Sequence, residues 1–244
     1  FQVHALELPA EVDAIYEGLE NPDPKAERIG VLATLVDFRD GTNRTGLNPK
    51  GERLIRHIGV SGHRSPPVLL ECLQRDTRGV FDTLLVAINA NDRRYFSMQH
   101  NLIPVAKEKG VGVIGMKAFG DGTFYGKPGH WTQGPHEVVR SVGTAQLPSA
   151  PFVRYPLSVP GVCTLIVGIG HVDADPGRCQ LTQNLAAAQL EVPLDRKALR
   201  EVEEVAATVQ SGRTNYFQAD QLPLGAPRDA ALERQGGRVR LAWQ

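Results

Sequence analysis

The chain has 244 residues, and its 27 Lys and Arg residues balance its 27 Asp and Glu residues, which gives a formal net charge of zero. This balance argues against a nucleic-acid-binding groove and against a polybasic patch that binds a membrane. No apolar run approaches the roughly 18 residues that span a membrane, and the first residues do not form a basic and hydrophobic leader. We therefore predict a cytoplasmic chain without a nucleic-acid or membrane partner.

The three cysteines are odd in number, far apart and without a CxxC pair: Cys72, Cys163 and Cys179. This pattern argues against a disulfide framework, a zinc site and an iron–sulfur cluster, so reduced thiols are expected. Four histidines, His63, His130, His136 and His171, are too scattered along the sequence for a metal site. We therefore predict no metal site.

Short runs of β-branched residues alternate with longer helical patterns, which is typical of βαβ units around a parallel sheet. The predicted strands are Phe1–Ala5, His57–Ser61, Thr83–Asn89, Gly112–Lys117 and Thr164–Gly168. The predicted helices are Val12–Leu19, Glu27–Phe38, Pro66–Gln74, Ser97–Lys109, Pro135–Val142, Ala150–Val159, Gln180–Gln189 and Leu194–Gln210. Two stretches have the composition of insertions, Asp40–Glu52 and Ala174–Cys179. Because residues 211–244 show no convincing periodicity, we predict one domain over 1–210 and an extended C-terminal tail over 211–244.

Five predicted strands are compatible with two architectures. A closed parallel barrel has eight βα units, which leaves three units unaccounted for. A doubly wound open sheet needs no further strands. Composition and periodicity leave both architectures open.

Four successive strands run into stretches of small and polar residues, the kind that the C-terminal edge of a parallel sheet presents to a ligand. These stretches are Arg56–His63, Phe81–Asp92, Gly110–Gly122 and Leu165–Gly170, and the helix after the last of them carries Leu181–Ala186. The third stretch is a buried strand that continues into a glycine-rich loop, where a ligand can approach the backbone closely.

In this order, the four stretches resemble strands five to eight of the aldo-keto reductases, which are (β/α)₈ TIM barrels that reduce carbonyl compounds with NAD(P)H. The opening Phe1-Gln2-Val3-His4 resembles the fourth strand of that family, and Gly112–Lys117 matches its bacterial branch. The resemblance covers about residues 1–20 and 53–210. It implies an α/β fold that is a partial barrel, strands four to eight, with the N-terminal strands missing from this chain.

The resemblance implies a nicotinamide site at the first strand ends. Ser61 and Gly62 match the pair that holds the nicotinamide carboxamide, although Gly62 has no side-chain amide to offer. Leu85 stands where many members have a glutamine for the same group. Met116 takes the position of the tyrosine that stacks on the nicotinamide ring, where a thioether packs with less directionality.

The resemblance also implies contacts to the rest of the cofactor, which is NADP or NAD. Lys117 and Gly120 belong to the loop that lies beneath the pyrophosphate in the family. The matches to the adenosine end are Gly168 and Gly170 at its phosphate, and Gln183 and Asn184 at its adenine. Arg178, in the second insertion, is a candidate for a 2′-phosphate.

The implied function is reduction of aldehydes or ketones to alcohols, with His4 matching the histidine of the family's catalytic Asp, Tyr, Lys and His. The other three belong to strands one to three of the family, and the loss of a positioned general acid costs a factor of about 10² to 10⁴. We therefore expect this chain alone to be nearly inert. The loop Gly120–Gly134, with Trp131, is predicted to be a flexible lid.

A second hypothesis is a catalytically inactive module, nucleotide-binding or structural, that another chain completes. It predicts the same cofactor residues without turnover. The two open edges of a five-stranded parallel sheet would favour self-association under either hypothesis.

Overall fold

The structure is a computed structural model. It describes residues 1–94, 96–139, 142–189, 193–209, 215, 217–218, 231–235 and 238–242. Among these residues, no helix is both long enough and apolar enough to cross a membrane.

A five-stranded sheet organises the chain. Its strands are β1 (Gln2–Val3), β2 (Gly59–Gly62), β3 (Thr83–Ala87), β4 (Gly112–Met116) and β5 (Val162–Leu165). All four neighbouring pairs are parallel, and the strands lie in sequence order. This confirms the predicted parallel α/β sheet, and it is not the order of a doubly wound sheet, which reverses partway. That these are strands four to eight of a barrel stays a prediction.

The described residues also form eight α-helices. They are α1 (Pro9–Tyr16), α2 (Val31–Asp40), α3 (Pro66–Arg75), α4 (Met98–Asn101), α5 (Ile103–Glu108), α6 (Ser149–Leu157), α7 (Gln180–Ala188) and α8 (Arg196–Val209). Strands in sequence order with right-handed crossovers place their helices on one face of the sheet.

The two faces of the sheet are buried to different degrees. Val60, Leu84 and Val113 lie side by side in register, and each side chain is wholly buried. In the next row, Leu85 and Ile114 point to the opposite face and are only half-buried. One face therefore carries the core beneath the helices, and the other is partly open.

Two helix predictions were wrong in part. The predicted helix Ser97–Lys109 is divided into α4 and α5, because Pro104 has no N–H to continue the helical hydrogen bonds and begins a new first turn. The predicted helix Pro135–Val142 is a 3₁₀ turn over Pro135–Glu137, and the backbone is extended at the next residue, Val138. Val138 is β-branched, and such residues have a lower propensity for helix than for extended backbone.

Within residues 211–244, the structure describes two short antiparallel strands, β6 (Ala231–Gln235) and β7 (Arg238–Ala242), which pair in a sheet of their own. The predicted extended tail over 211–244 and the division into domains at 210 stay predictions.

A buried carboxylate fixes the connection after β3. Asp92 is 1% exposed, and its two oxygens accept the backbone N–H groups of Met98 and Gln99 and the Ser97 hydroxyl. Burial raises the pKa of this carboxyl to about 6, although these hydrogen bonds oppose the shift. Asp92 therefore takes up a proton more readily in the folded chain than in the unfolded chain.

We expect the Asp92→Asn variant to lose less stability than the wild type as the pH rises from 4 to 7. The folded-state pKa of about 6 lies above the ordinary value of 3.8. The stabilisation by the bound proton is therefore present below about pH 4 and is lost as the pH passes through 6. The difference between the two proteins should change by on the order of 3 kcal/mol, measured by urea unfolding across this range. Parallel pH profiles for the two proteins would contradict the assignment.

Candidate functional site

A cavity of about 420 Å³ lies at the C-terminal ends of β4 and β5. Its walls come from the end of β4, the loop that follows, the segment after β5, and residues near Val139. Met116, Lys117, Gly168 and Gly170 all line it. Four residues that the sequence assigned to a cofactor therefore meet in one cavity.

Two lysines share one carboxylate in the wall of this cavity. The Lys117 Nζ lies 2.6 Å from Asp121 Oδ1, and the Lys127 Nζ lies 3.2 Å from Asp121 Oδ2. The Lys127 side chain is only 2% exposed, and its ammonium group also donates to the backbone oxygen of His130. Two positive charges against one negative charge leave this part of the cavity positive.

The backbone of the same loop is held in an unusual conformation. Lys117 and Asp121 have φ values of 61° and 59°, which side chains other than glycine rarely adopt. Gly120 also has a positive φ, and a Cβ there would lie 2.7 Å from the Thr123 hydroxyl oxygen. Such backbone strain clusters at functional sites, where the surrounding structure holds it in place. Gly120 therefore shapes the loop without lining the cavity.

Aromatic rings continue from the cavity toward the end of β1. The Lys117 Nζ lies 4.9 Å from the centroid of the Trp131 ring. The His63 ring is 5.3 Å from the Trp131 ring and 6.1 Å from the His4 ring, in edge contacts. Phe217, 2% exposed, packs against Trp131 with the ring centroids 6.3 Å apart. The predicted catalytic residue His4 and the predicted lid residue Trp131 therefore belong to one cluster at the sheet edge.

Ser61 and Gly62 lie apart from the cavity. The Ser61 hydroxyl is wholly buried, accepts the Ala5 N–H at 2.9 Å and contacts the Val3 oxygen at 3.3 Å. A Cβ on Gly62 would lie 2.8 Å from the Leu6 oxygen, so a glycine is needed for the chain to pass. Both residues have a structural role here, and their predicted contact to a cofactor stays a prediction.

Gln183 and Asn184 lie on α7, beside the cavity and outside it. Gln183 lines a second hollow, of about 430 Å³, together with Arg178 and His171. Gln180 lines both spaces, and its Oε1 accepts the Gly170 N–H at 2.6 Å. Asn184 is 8% exposed, and both polar atoms of its side chain have no hydrogen-bond partner among the described residues.

The described tyrosines are not suited to give up a proton near neutral pH. Burial raises the pKa of Tyr16, Tyr125 and Tyr155 well above the ordinary value. Tyr16 donates to the Cys72 backbone oxygen, and Tyr155 donates to Glu203. Tyr95 and Tyr216 lie outside the described residues.

Three further residues of this region were not predicted from the sequence: Lys127, Glu7 and His63. Lys127 follows Gly126, which ends the 3₁₀ segment Gly120–Tyr125, and no predicted strand ends near it. Glu7 and His63 each follow the end of a neighbouring parallel strand. That position was the available signal, because strand ends of one sheet meet at the same edge.

Comparisons with known proteins found structural similarity alone. No family model and no curated protein matches the chain. An aldo-keto reductase of Bacillus halodurans, AKR11C1, matches in its holo form with 19% identity and a TM-score of 0.48, covering 84% of this chain and 57% of that one. Its apo form matches with 21% identity and a TM-score of 0.43, covering 62% and 51%. The glycerol dehydrogenase AKR11B4 of Gluconobacter oxydans matches with 15% identity and a TM-score of 0.45, covering 85% and 57%.

This chain thus spans just over half the length of the solved structures that it matches.

Proposed function

We propose that the chain is part of an oxidoreductase of the aldo-keto reductase type: it binds NADPH or NADH at the ends of β4 and β5 for the reduction of a small carbonyl compound, and the proton donor is not one of the described tyrosines. The main support for this proposal is that one cavity is lined by Met116, Lys117, Gly168 and Gly170. These residues come from the end of β4 and from the segment after β5, which are far apart in sequence, and the resemblance implies contacts to the same cofactor for all four.

The cavity has the charge and the space to bind the phosphate groups of a dinucleotide cofactor. Lys117, whose side chain is 21% exposed, can offer its ammonium group to a phosphate, and the buried Lys127 adds a second positive charge beside it. Around Gly168, no atom lies within 4 Å of the position of a Cβ, so a ligand has room to approach this backbone. Lysine is a common point-charge partner of phosphate groups. The residues present therefore fit a pyrophosphate.

The nicotinamide end of the cofactor would lie toward Met116 and the aromatic cluster of Trp131, His63 and His4. Met116, half-buried at the end of β4, offers a polarizable thioether for packing against a planar ring. A bound nicotinamide supplies hydride chemistry. His4 is exposed at the same sheet edge, where its ring nitrogens can donate a hydrogen bond to a carbonyl oxygen and orient it.

We expect the Lys117→Gln variant to bind NADPH about ten- to a hundredfold more weakly than the wild type. The change removes one charge-assisted contact, which is worth about 1.5–3 kcal/mol, and keeps a polar side chain in a strained backbone position. Lys197→Gln is the matched control, because Lys197 is 82% exposed on α8 and does not line the cavity. The affinities are measured by calorimetric titration of the folded proteins.

Equal NADPH affinity of the Lys117→Gln variant and the wild type would argue against the cavity as the phosphate site. An equal loss in both lysine variants would indicate nonspecific attraction of the cofactor by charge.

A further inference from the structure

A buried side-chain amide joins the segment just after β3 to the loop after β4, Lys117–Gly122. The Asn89 side chain is wholly buried, and its Nδ2 donates to the backbone oxygen of Lys117 at 3.1 Å. Its Oδ1 accepts the Asn91 N–H at 2.9 Å, which forms a turn stabilised by the side chain. Asn89 is not among the residues that line the cavity, whereas Lys117 is. The amide therefore contacts the cavity wall from the protein side.

The Asn89 amide extends the hydrogen bonding between β3 and β4 by one bond. The backbone bond before it runs from the Ile88 N–H to the Met116 oxygen at 3.0 Å. Lys117, the next residue, has a φ of 61°, and its oxygen also accepts the Gly120 N–H at 2.8 Å, which closes the first turn of the loop. The left-handed conformation is unfavourable for a residue with a Cβ, so it persists only where the surrounding structure holds it. Two hydrogen bonds to the Lys117 oxygen hold it here.

We propose that Asn89 is a positioning residue for the phosphate site: its amide holds the Lys117 backbone in the left-handed conformation, which keeps the Lys117 side chain at the cavity wall. In this conformation the Lys117 Nζ lies 2.6 Å from Asp121 Oδ1 and 4.9 Å from the centroid of the Trp131 ring. The inference rests on the proposed function and adds to it a residue that does not touch the ligand.

A role of Asn89 in its own turn alone would not require an amide. Aspartate and serine also accept the N–H two residues further on and form the same kind of turn. Neither replaces the bond to Lys117, because a carboxylate cannot donate and a serine hydroxyl is one atom shorter. The Nδ2 bond to the Lys117 oxygen is therefore the contact that distinguishes positioning from turn formation.

Calorimetric titration of the folded chain with ADP-ribose tests this role, because ADP-ribose carries the pyrophosphate without the nicotinamide. We expect the Asn89→Ser variant to bind ADP-ribose about fivefold more weakly than the wild type, the effect of one lost hydrogen bond. Asn101→Ser is the matched control and should bind as tightly as the wild type. The Asn101 Nδ2 also donates to a backbone oxygen, that of Ser97 at 2.9 Å, but Asn101 is exposed on α4 and does not line the cavity.

A Lys117→Gly background separates positioning from a general loss of structure. Glycine adopts a positive φ readily and has no side chain to position, so adding Asn89→Ser should then change the ADP-ribose affinity by less than about twofold. A defect in the turn of Asn89 itself would lower the affinity by the same factor in both backgrounds.

An unchanged affinity in the Asn89→Ser variant, or an equal loss in the wild-type and Lys117→Gly backgrounds, would overturn the inference and leave the proposed function standing. If Asn89→Ser does not fold by circular dichroism, Asn89→Asp is titrated in its place with the same expectations. Absence of ADP-ribose binding by the folded wild-type chain would overturn the proposed function, and the inference with it.

Discussion

Replacing Asp121 with asparagine is expected to lower the free energy of unfolding by about 3 kcal/mol at pH 7. Asp121 is the carboxylate that lies 2.6 Å from the Lys117 ammonium and 3.2 Å from the Lys127 ammonium. Lys127 is 2% exposed, so water cannot replace the lost negative charge. Removing one partner of a buried ion pair is strongly destabilising because the other charge stays buried. Asparagine keeps the size of the side chain and tolerates the positive φ, so the effect reports on charge.

Urea unfolding measures this effect, and two controls define its cause. Glu201→Gln removes the carboxylate of the Lys197 pair, which is highly exposed, and should cost less than about 1 kcal/mol. The double variant Asp121→Asn, Lys127→Met removes the buried ammonium as well and should recover most of the lost stability. If the double variant is as unstable as the single variant, the loss arises from the loop backbone and the charge explanation is wrong.

Leu84→Ala is expected to destabilise the chain by about 2–5 kcal/mol, whereas Leu85→Ala, its neighbour on β3, should cost less than half as much. Leu84 is wholly buried on the helix face of the sheet, and Leu85 is half-buried on the other face. The two substitutions remove the same atoms from adjacent positions of one strand. Their difference therefore measures the burial of the two faces.

The comparison of the two leucine variants also distinguishes architectures. In a closed barrel the inner face is filled by packed side chains, so both substitutions would leave cavities of similar cost. Equal losses of unfolding free energy, measured by urea denaturation of the two variants at one protein concentration, would contradict the partly open sheet that the structure describes.

The sheet was predictable because its signal is local. β3 and β4 lie in short runs with β-branched residues that are bounded by glycine or asparagine. Each run is followed by a helical pattern, and strands that alternate with helices can form only a few sheet topologies. The wrong helix at Pro135–Val142 shows the limit of this reasoning. Its apolar spacing fits a helix, and the backbone nevertheless turns extended after Glu137.

The candidate site was predictable only where its residues follow strands. Met116 ends β4, Gly168 ends the predicted strand Thr164–Gly168, and both line the cavity. Lys127 enters the same wall through the left-handed turns of Gly120 and Gly122, which no periodicity reveals. Ser61 has the expected place in the sheet, but its hydroxyl is hydrogen-bonded to Val3 of β1 and to Ala5. Hydrogen-bond partners of this kind depend on tertiary contacts between segments distant in sequence.

Calorimetric titration of the folded chain with NADPH, NADH and ADP-ribose tests the cofactor site most directly. Lys117, Lys127, Gly168 and Gly170 line the cavity for the phosphates, whereas Gly62 and Leu85 offer no polar side chain to a carboxamide. We therefore expect ADP-ribose, which lacks the nicotinamide, to retain most of the affinity of the complete cofactors. If none of the three binds at millimolar concentration while circular dichroism shows a folded α/β chain, the cofactor site does not exist in this molecule.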